Sequence, residues 1–205
     1  MYGEPEICSA CLVSMPRELN YDGYRNSTVF RLQGMLKFDQ AYSFLRFRKN
    51  TSVQRLLHQV KYQGKADLGV QLGRWFASEI LYQARGEFEL VVPVPLHSKR
   101  LKERGYNQSL KIAKGICQIT GHNIGDVLRR EQAAKTQTGL NRWERFQNTA
   151  NEFQMANPDM IKNKAVLLLD DIITTGATIS GAAIPLIKGG VDKLIVASVG
   201  LTQEA

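Results

Sequence analysis

Val166-Leu167-Leu168-Leu169-Asp170-Asp171-Ile172-Ile173-Thr174-Thr175-Gly176-Ala177-Thr178 runs from an unbroken aliphatic stretch into two adjacent acids and then into a short Thr/Gly segment. An aliphatic run without polar alternation suits a strand covered on both faces, at the centre of a parallel α/β sheet. Ligands of such sheets bind beyond the carboxyl ends of the strands. Asp170 and Asp171 fall at that end. Thr174, Thr175, Gly176, Ala177 and Thr178 then make a loop whose small residues let backbone N–H groups approach an anion. A helix is predicted to begin at Ala177, and its unpaired amides and positive dipole end would complete a site for one phosphate dianion. Two carboxylates repel that phosphate and need another partner, either vicinal sugar hydroxyls or a Mg²⁺ ion. A sugar phosphate with a metal satisfies both halves. The plainer alternative, a buried strand followed by a capped turn, accounts for one acid but not for two acids, two threonines and a glycine in succession.

The run resembles the phosphoribosyl-pyrophosphate (PRPP) signature of type I phosphoribosyltransferases. That resemblance implies a mostly parallel twisted sheet flanked by helices. It also implies that Asp170 and Asp171 contact ribose hydroxyls, directly or through Mg²⁺, and that Thr174 to Thr178 bind the 5′-phosphate.

Composition sets the outer limits. At 205 residues the chain has room for one α/β domain and a small appendage. With 43% hydrophobic and 22% charged residues it reads as a soluble globular chain, and no apolar run approaches the length needed to span a bilayer. The first residues, Met1-Tyr2-Gly3-Glu4-Pro5, carry no basic and apolar export signal, which predicts a cytoplasmic protein. Net charge is +8, and between Arg85 and Arg145 twelve Lys/Arg face six Asp/Glu. A basic excess clustered around a phosphate site favours a polyanion, either pyrophosphate or nucleic acid. Three cysteines do not make a disulfide framework. Cys117 lies in an apolar helical pattern and reads as core, while Cys8 and Cys11 have the spacing of half a zinc knuckle. On the residues alone, a Zn²⁺ site and an incidental pair are equally compatible with them.

Along the chain, residues 1–50 show no clear period and read as an accessory region, with the main domain over 51–205. Val53, Leu56, Leu57 and Val60 predict a helix opened by Thr51 or Ser52 and ended by Gly64; Leu68, Leu72, Trp75, Phe76, Ile80 and Leu81 predict a second, up to about Gly86. Glu89 to Pro95 predicts a strand whose prolines limit its pairing, followed by a basic loop with His97, Ser98, Lys99, Arg100, Lys102 and Arg104, then a helix through Ile116. Short strands are predicted near 126–128 and 150–155. Between them, Arg129 to Asn148 is polar and cationic, and such a segment inside a compact domain is either disordered or a functional lid. Pro185 should kink or shorten the helix after the signature, which ends at Gly189-Gly190. Leu194 to Leu201 predicts the last strand.

Val92-Pro93-Val94-Pro95-Leu96-His97, Arg100, Arg104-Gly105-Tyr106-Asn107-Gln108, Gln137-Thr138 with Arg142, Arg145 and Asn148, and Leu56-Leu57-His58-Gln59-Val60-Lys61-Tyr62 resemble the ComF family, phosphoribosyltransferase-like proteins associated with DNA uptake in bacterial competence. The resemblance covers about Thr51 to the C-terminus. It implies that His97, Ser98, Lys99, Arg100 and Arg104 bind pyrophosphate, that the lid closes over it, and that Asp170, Asp171, Lys135 and Arg142 are catalytic. The function implied is Mg²⁺-dependent phosphoribosyl transfer to an acceptor. The alternative is non-catalytic binding of PRPP, ribose 5-phosphate or single-stranded DNA alongside DNA-uptake proteins. Family members resemble one another in an N-terminal zinc module with two Cys-x-x-Cys pairs, and Cys8 and Cys11 look like the second pair.

Overall fold

The computed structural model describes residues 7, 13–18, 22–62, 64–131 and 152–203. Its centre is a five-stranded sheet of β1 (Gln40–Phe47), β2 (Leu90–Pro93), β3 (Asn123–Ile124), β6 (Ala165–Ile173) and β7 (Lys193–Thr202), in the spatial order β1-β7-β6-β2-β3. Every pairing in it is parallel. A separate two-stranded antiparallel ribbon joins β4 (Leu128–Arg130) to β5 (Phe153–Met155).

The central strand β6 is the aliphatic run, and its alternation explains why no polar residue interrupts it. Leu167 and Leu169 pack on one side with Val53, Leu57, Leu72 and Ile112, whereas Val166 and Leu168 pack on the other with Leu32, Ile179, Ala183 and Leu186. Side chains of a strand point alternately to opposite faces, so a strand with helices on both sides must be apolar throughout. On the first face lie α2 (Ser52–Tyr62), α3 (Ala66–Phe76) and α5 (Gln108–Thr120); on the second lie α1 (Ser27–Leu32) and α6 (Ala177–Lys188). α2 buries Val53, Leu56, Leu57 and Val60, the predicted stripe. Thr51 Oγ1 accepts from Gln54 N at 3.5 Å near its start. α3 passes into a single π-turn, Ala77–Leu81.

Two differences from the sequence reading bear on the site. The sheet does not begin after residue 50: β1 pairs with β7 from Gln40↔Ile195 to Phe47↔Thr202, so residues read as accessory supply an edge strand of the main sheet. And the basic stretch after β2 is not a loop but a helix of about two turns, α4 (Ser98–Arg104). None of its residues is buried, so it left no apolar period to read. It is held by its ends: His97 Nδ1 accepts from Lys99 N at 3.2 Å, and Gly105, at φ 78°, closes the C-terminus with its N–H on the Leu101 carbonyl. Pro185 sits inside α6, which ends at Lys188 with Gly189 as its cap. Among the described residues no helix is long and apolar enough to cross a membrane.

Candidate functional site

The strand order reverses between β2 and β6: β2 is followed outward by β3, while β6 leads to β7 and β1. Crevices form at the carboxyl ends of strands at such a reversal, because the loops that follow diverge to opposite faces. There a cleft of about 230 Å³ opens, reached by Asp170, Asp171 and Thr174 from β6 and its loop, Thr178 from the first turn of α6, Arg100, Arg104 and Gln108 from α4 and α5, Lys61 from α2 and Arg130 from β4.

The acids lie within β6, which continues to Ile173, but beyond the last residue that pairs with β2, Leu169 opposite Pro93. Both are nearly buried, with 9% and 8% of their surface exposed. Asp170 Oδ1 accepts from Ser109 Oγ at 3.2 Å and from the Asp171 N–H at 2.8 Å. Lys61 Nζ sits 3.0 Å from Asp171 Oδ2. Burial, and then the neighbouring Asp171 charge, push the Asp170 carboxyl up to about 7, against the opposing pull of the Asp171 N–H, Lys61 and Ser109. Like charges on adjacent buried acids are held together here by one lysine.

The loop after β6 turns into α6 at Gly176, whose φ of 87° is costly for any residue with a side chain. A Cβ there would also lie 2.8 Å from Leu32 Cδ2. α6 starts without a side-chain cap from Gly176 and without an acid in its first turn to offset its positive end. Thr175 Oγ1 accepts from Ala177 N at 3.4 Å. Arg31 of α1 ties the loop down, donating from Nη1 to the Thr174 carbonyl and from Nη2 to the Thr202 carbonyl at 3.0 Å.

The opposite wall is cationic. Arg104 donates from Nη2 to Tyr62 Oη at 3.0 Å and stacks its guanidinium 4.7 Å from that ring's centre, while Arg130 donates to Glu152 from Nη2 at 2.7 Å. α5 is aimed at the cleft by Asn107, whose Oδ1 accepts from Ser109 N at 3.0 Å and whose Nδ2 donates to the Val94 carbonyl at 3.0 Å.

Of the residues singled out in the sequence, Asp170, Asp171, Thr174, Thr178, Arg100 and Arg104 meet in this one cleft. Thr175, Gly176 and Ala177 form the turn beneath it. His97 serves as the cap of α4, and Ser98 and Lys99 are its exposed first residues. Lys135, Arg142, Cys8 and Cys11 lie outside the described residues, as does the lid segment beyond residue 131. Lys61, Gln108 and Ser109 carried no predicted site role, and Arg130, read as part of the cationic lid segment, lies in β4 and lines the cleft. For Lys61 the signals were its place one residue past Val60, off the apolar stripe of α2, and its inclusion in the stretch from Leu56 to Tyr62 that resembles ComF proteins.

Among the described residues no group of three or more His, Cys, Asp and Glu side chains comes together to hold a metal. The two carboxylates do suit Mg²⁺ that arrives already bound to phosphate oxygens, since that ion keeps several waters and takes few protein ligands. Asp171 is pre-neutralised by Lys61, so a metal reaching the pair would share it with a fixed cation.

No protein-family model matches the chain. Curated relatives do. A DNA utilization protein YhgH of Salmonella typhi is 30% identical over 144 residues, 66% of this chain and 61% of its own length. Competence protein F of Haemophilus influenzae is 34% identical over 110 residues, 53% and 48% of the two chains. Competence protein ComFC of Bacillus subtilis is 26% identical over 141 residues, 69% and 56%. The chain thus spans less than two thirds of the length of each. Among solved structures, the allosteric regulatory enzyme of purine biosynthesis superposes with a TM-score of 0.46 at 20% identity over 66% of this chain and 25% of the other. A hypoxanthine phosphoribosyltransferase from Staphylococcus aureus gives 0.39 at 18% over 73% and 71%. At those scores the superpositions add nothing to the sheet order itself. The sequence relatives agree with one another, and the chain is a homologue of Competence protein F, ComFC and the YhgH proteins.

Proposed function

We propose that the cleft binds PRPP with Mg²⁺ and transfers its phosphoribosyl group to an acceptor nucleophile. The observation that carries this reading is the meeting, in one cleft, of two nearly buried acids, a glycine-turned loop at a helix start with no acid in its first turn, and a wall of cations. The loop and the start of α6 suit the 5′-phosphate. The acids suit the ribose hydroxyls, which donate to carboxylates, and Arg100 and Arg104 suit the diphosphate. In the reaction the anomeric C–O bond breaks, pyrophosphate leaves with the bonding pair, and the acceptor's lone pair forms the new bond as the acceptor loses a proton. Bound Mg²⁺ would supply charge neutralisation on the diphosphate. Preorganised cations stabilise that departing charge without reorganising, which is where most of the rate gain in such a site arises. Differential scanning fluorimetry tests the reading. Millimolar PRPP with Mg²⁺ should raise Tm, since a ligand at a hundredfold excess over Kd adds about 2.7 kcal/mol. An unchanged Tm and a flat calorimetric titration would end the proposal.

A second reading rests on α4, whose Lys99, Arg100 and Lys102 are exposed in a row beside the cleft, and on relatives named for DNA utilization. In it the same wall binds single-stranded DNA through phosphates. Affinity should then fall steeply with salt, and joint replacement of Arg100 and Arg104 by Ala should flatten that slope. The two acids argue for the first reading, because carboxylates facing a phosphate backbone are repelled by it.

A further inference from the structure

Gln108, the first residue of α5, is 2% exposed, lines the cleft, and its Nε2 amide has no hydrogen-bond partner. Buried side-chain donors are rarely left unpaired, because the donor loses its water and gains nothing in exchange. The neighbours on both sides are satisfied: Asn107 caps the helix and bonds the Val94 carbonyl, and Ser109 donates to Asp170. The start of α5 has no acid in its first turn. The orphan amide therefore belongs to the first residue of a helix, at its positive end, and shares the cleft with Arg100 and Arg104 of α4 and with the acid pair. Among the described residues, the charged side chains lining the cleft, apart from Asp170 and Asp171, are Lys61, Arg100, Arg104 and Arg130, all cationic.

We propose that Gln108 is a ligand-binding residue whose side-chain amide donates to an anionic oxygen of the diphosphate end of the ligand. This rests on the reading of the cleft as a PRPP site. An amide suits the position better than another cation would. It adds a donor to the cleft that holds two buried carboxylates without competing as a cation with Lys61 for Asp171. The unpaired amide costs the free protein stability and is repaired only when ligand arrives, the signature of a residue kept for binding rather than for folding.

Gln108→Leu keeps most of the volume and removes the polar atoms. Calorimetry with PRPP and Mg²⁺, with inorganic pyrophosphate and with ribose 5-phosphate should show the variant losing about tenfold or more toward the first two, the size of one hydrogen bond to a charged group. Ribose 5-phosphate should bind unchanged. Melting without ligand should show Tm equal to or above the parent's, an outcome a structural role would not produce. Unchanged PRPP affinity, or a loss confined to ribose 5-phosphate, would overturn the assignment while leaving the cleft's function standing. A parent protein that binds none of the three ligands would instead remove the PRPP reading itself. Should Gln108→Leu fail to fold, Gln108→Glu provides the same comparison, with the added charge expected to repel pyrophosphate.

Discussion

Asp170 and Asp171 are adjacent in the chain yet meet different partners, and the difference can be measured. Asp171 faces Lys61, whereas Asp170 is bound by Ser109 and by the backbone N–H of Asp171. If the pair holds ribose hydroxyls, Asp171→Asn removes the charge that strengthens those bonds while keeping the volume. Each such bond contributes about 1.5–3 kcal/mol, so PRPP affinity measured by calorimetry should fall by tenfold or more. Asp170 adds a pH dependence. Its carboxyl is raised from the usual 3.8 to about 7 by burial and by Asp171, so the folded protein binds that proton more tightly than the unfolded chain does. The protonated form then favours folding: the contribution is complete below the unfolded value and is lost as pH rises toward 7. Asp170→Asn mimics the neutral form and can still accept from Ser109 and Asp171. It should raise Tm at pH 8 more than at pH 5, and an equal shift at both would contradict a raised carboxyl.

At the scale of elements, the cleft depends on a helix pair whose contact the sequence hides. α3 and α5 approach so closely that a Cβ on Gly115 would lie 2.0 Å from the Val70 carbonyl oxygen, and one on Gly73 2.0 Å from that of Ile112. Glycine inside a helix costs about 1 kcal/mol relative to alanine, so Gly115→Ala would stabilise an isolated helix. Here the atom it meets is backbone and cannot swing aside. Overpacking of about 1–3 kcal/mol or more outweighs the propensity gain, and the helices must part. Because α5 carries Asn107, Gln108 and Ser109 to the cleft, the variant should lower both Tm and PRPP affinity. Thermal melting and calorimetry on Gly115→Ala check this, and a stabilised protein with intact binding would refute the close contact.

For the whole molecule, residues 22–50 are part of the domain. β1 buries Ala41, Phe44 and Leu45 completely. A chain of hydroxyls runs from Thr28 Oγ1 to Ser43 Oγ and on to Ser198 Oγ, each step 2.8 Å, joining α1 to β1 and β7. Arg31 and Leu32 support the loop at Thr174 and Gly176. A fragment of residues 51–205 would lose these contacts and open the long β7 edge. Each fully buried large apolar side chain is worth about 1.5–3 kcal/mol, so losing several of them consumes most of a typical stability of about 5–15 kcal/mol. The fragment should aggregate or melt without cooperativity. Circular dichroism and size-exclusion chromatography decide it, and a monomeric fragment with a sharp transition would show that β1 is dispensable.

Sequence alone determined what local chemistry and period can encode. The unbroken aliphatic run specified a strand covered on both faces; Thr174 to Gly176 specified where α6 begins; the stripe of Val53, Leu56, Leu57 and Val60 specified the buried side of α2. Tertiary structure decided the rest, because the deciding contacts join residues far apart in the chain. β1 became part of the sheet through pairing with β7, some 155 positions away, and no pattern within residues 40–47 announces that partner. α4 is held by a cap at each end and buries nothing, so periodicity is silent about it. Lys61 entered the site because α2 ends beside β6, and Gln108 because α5 is pressed against α3 by two glycines. A charged residue at a helix end reads as solvated until the fold brings an acid to 3.0 Å from it.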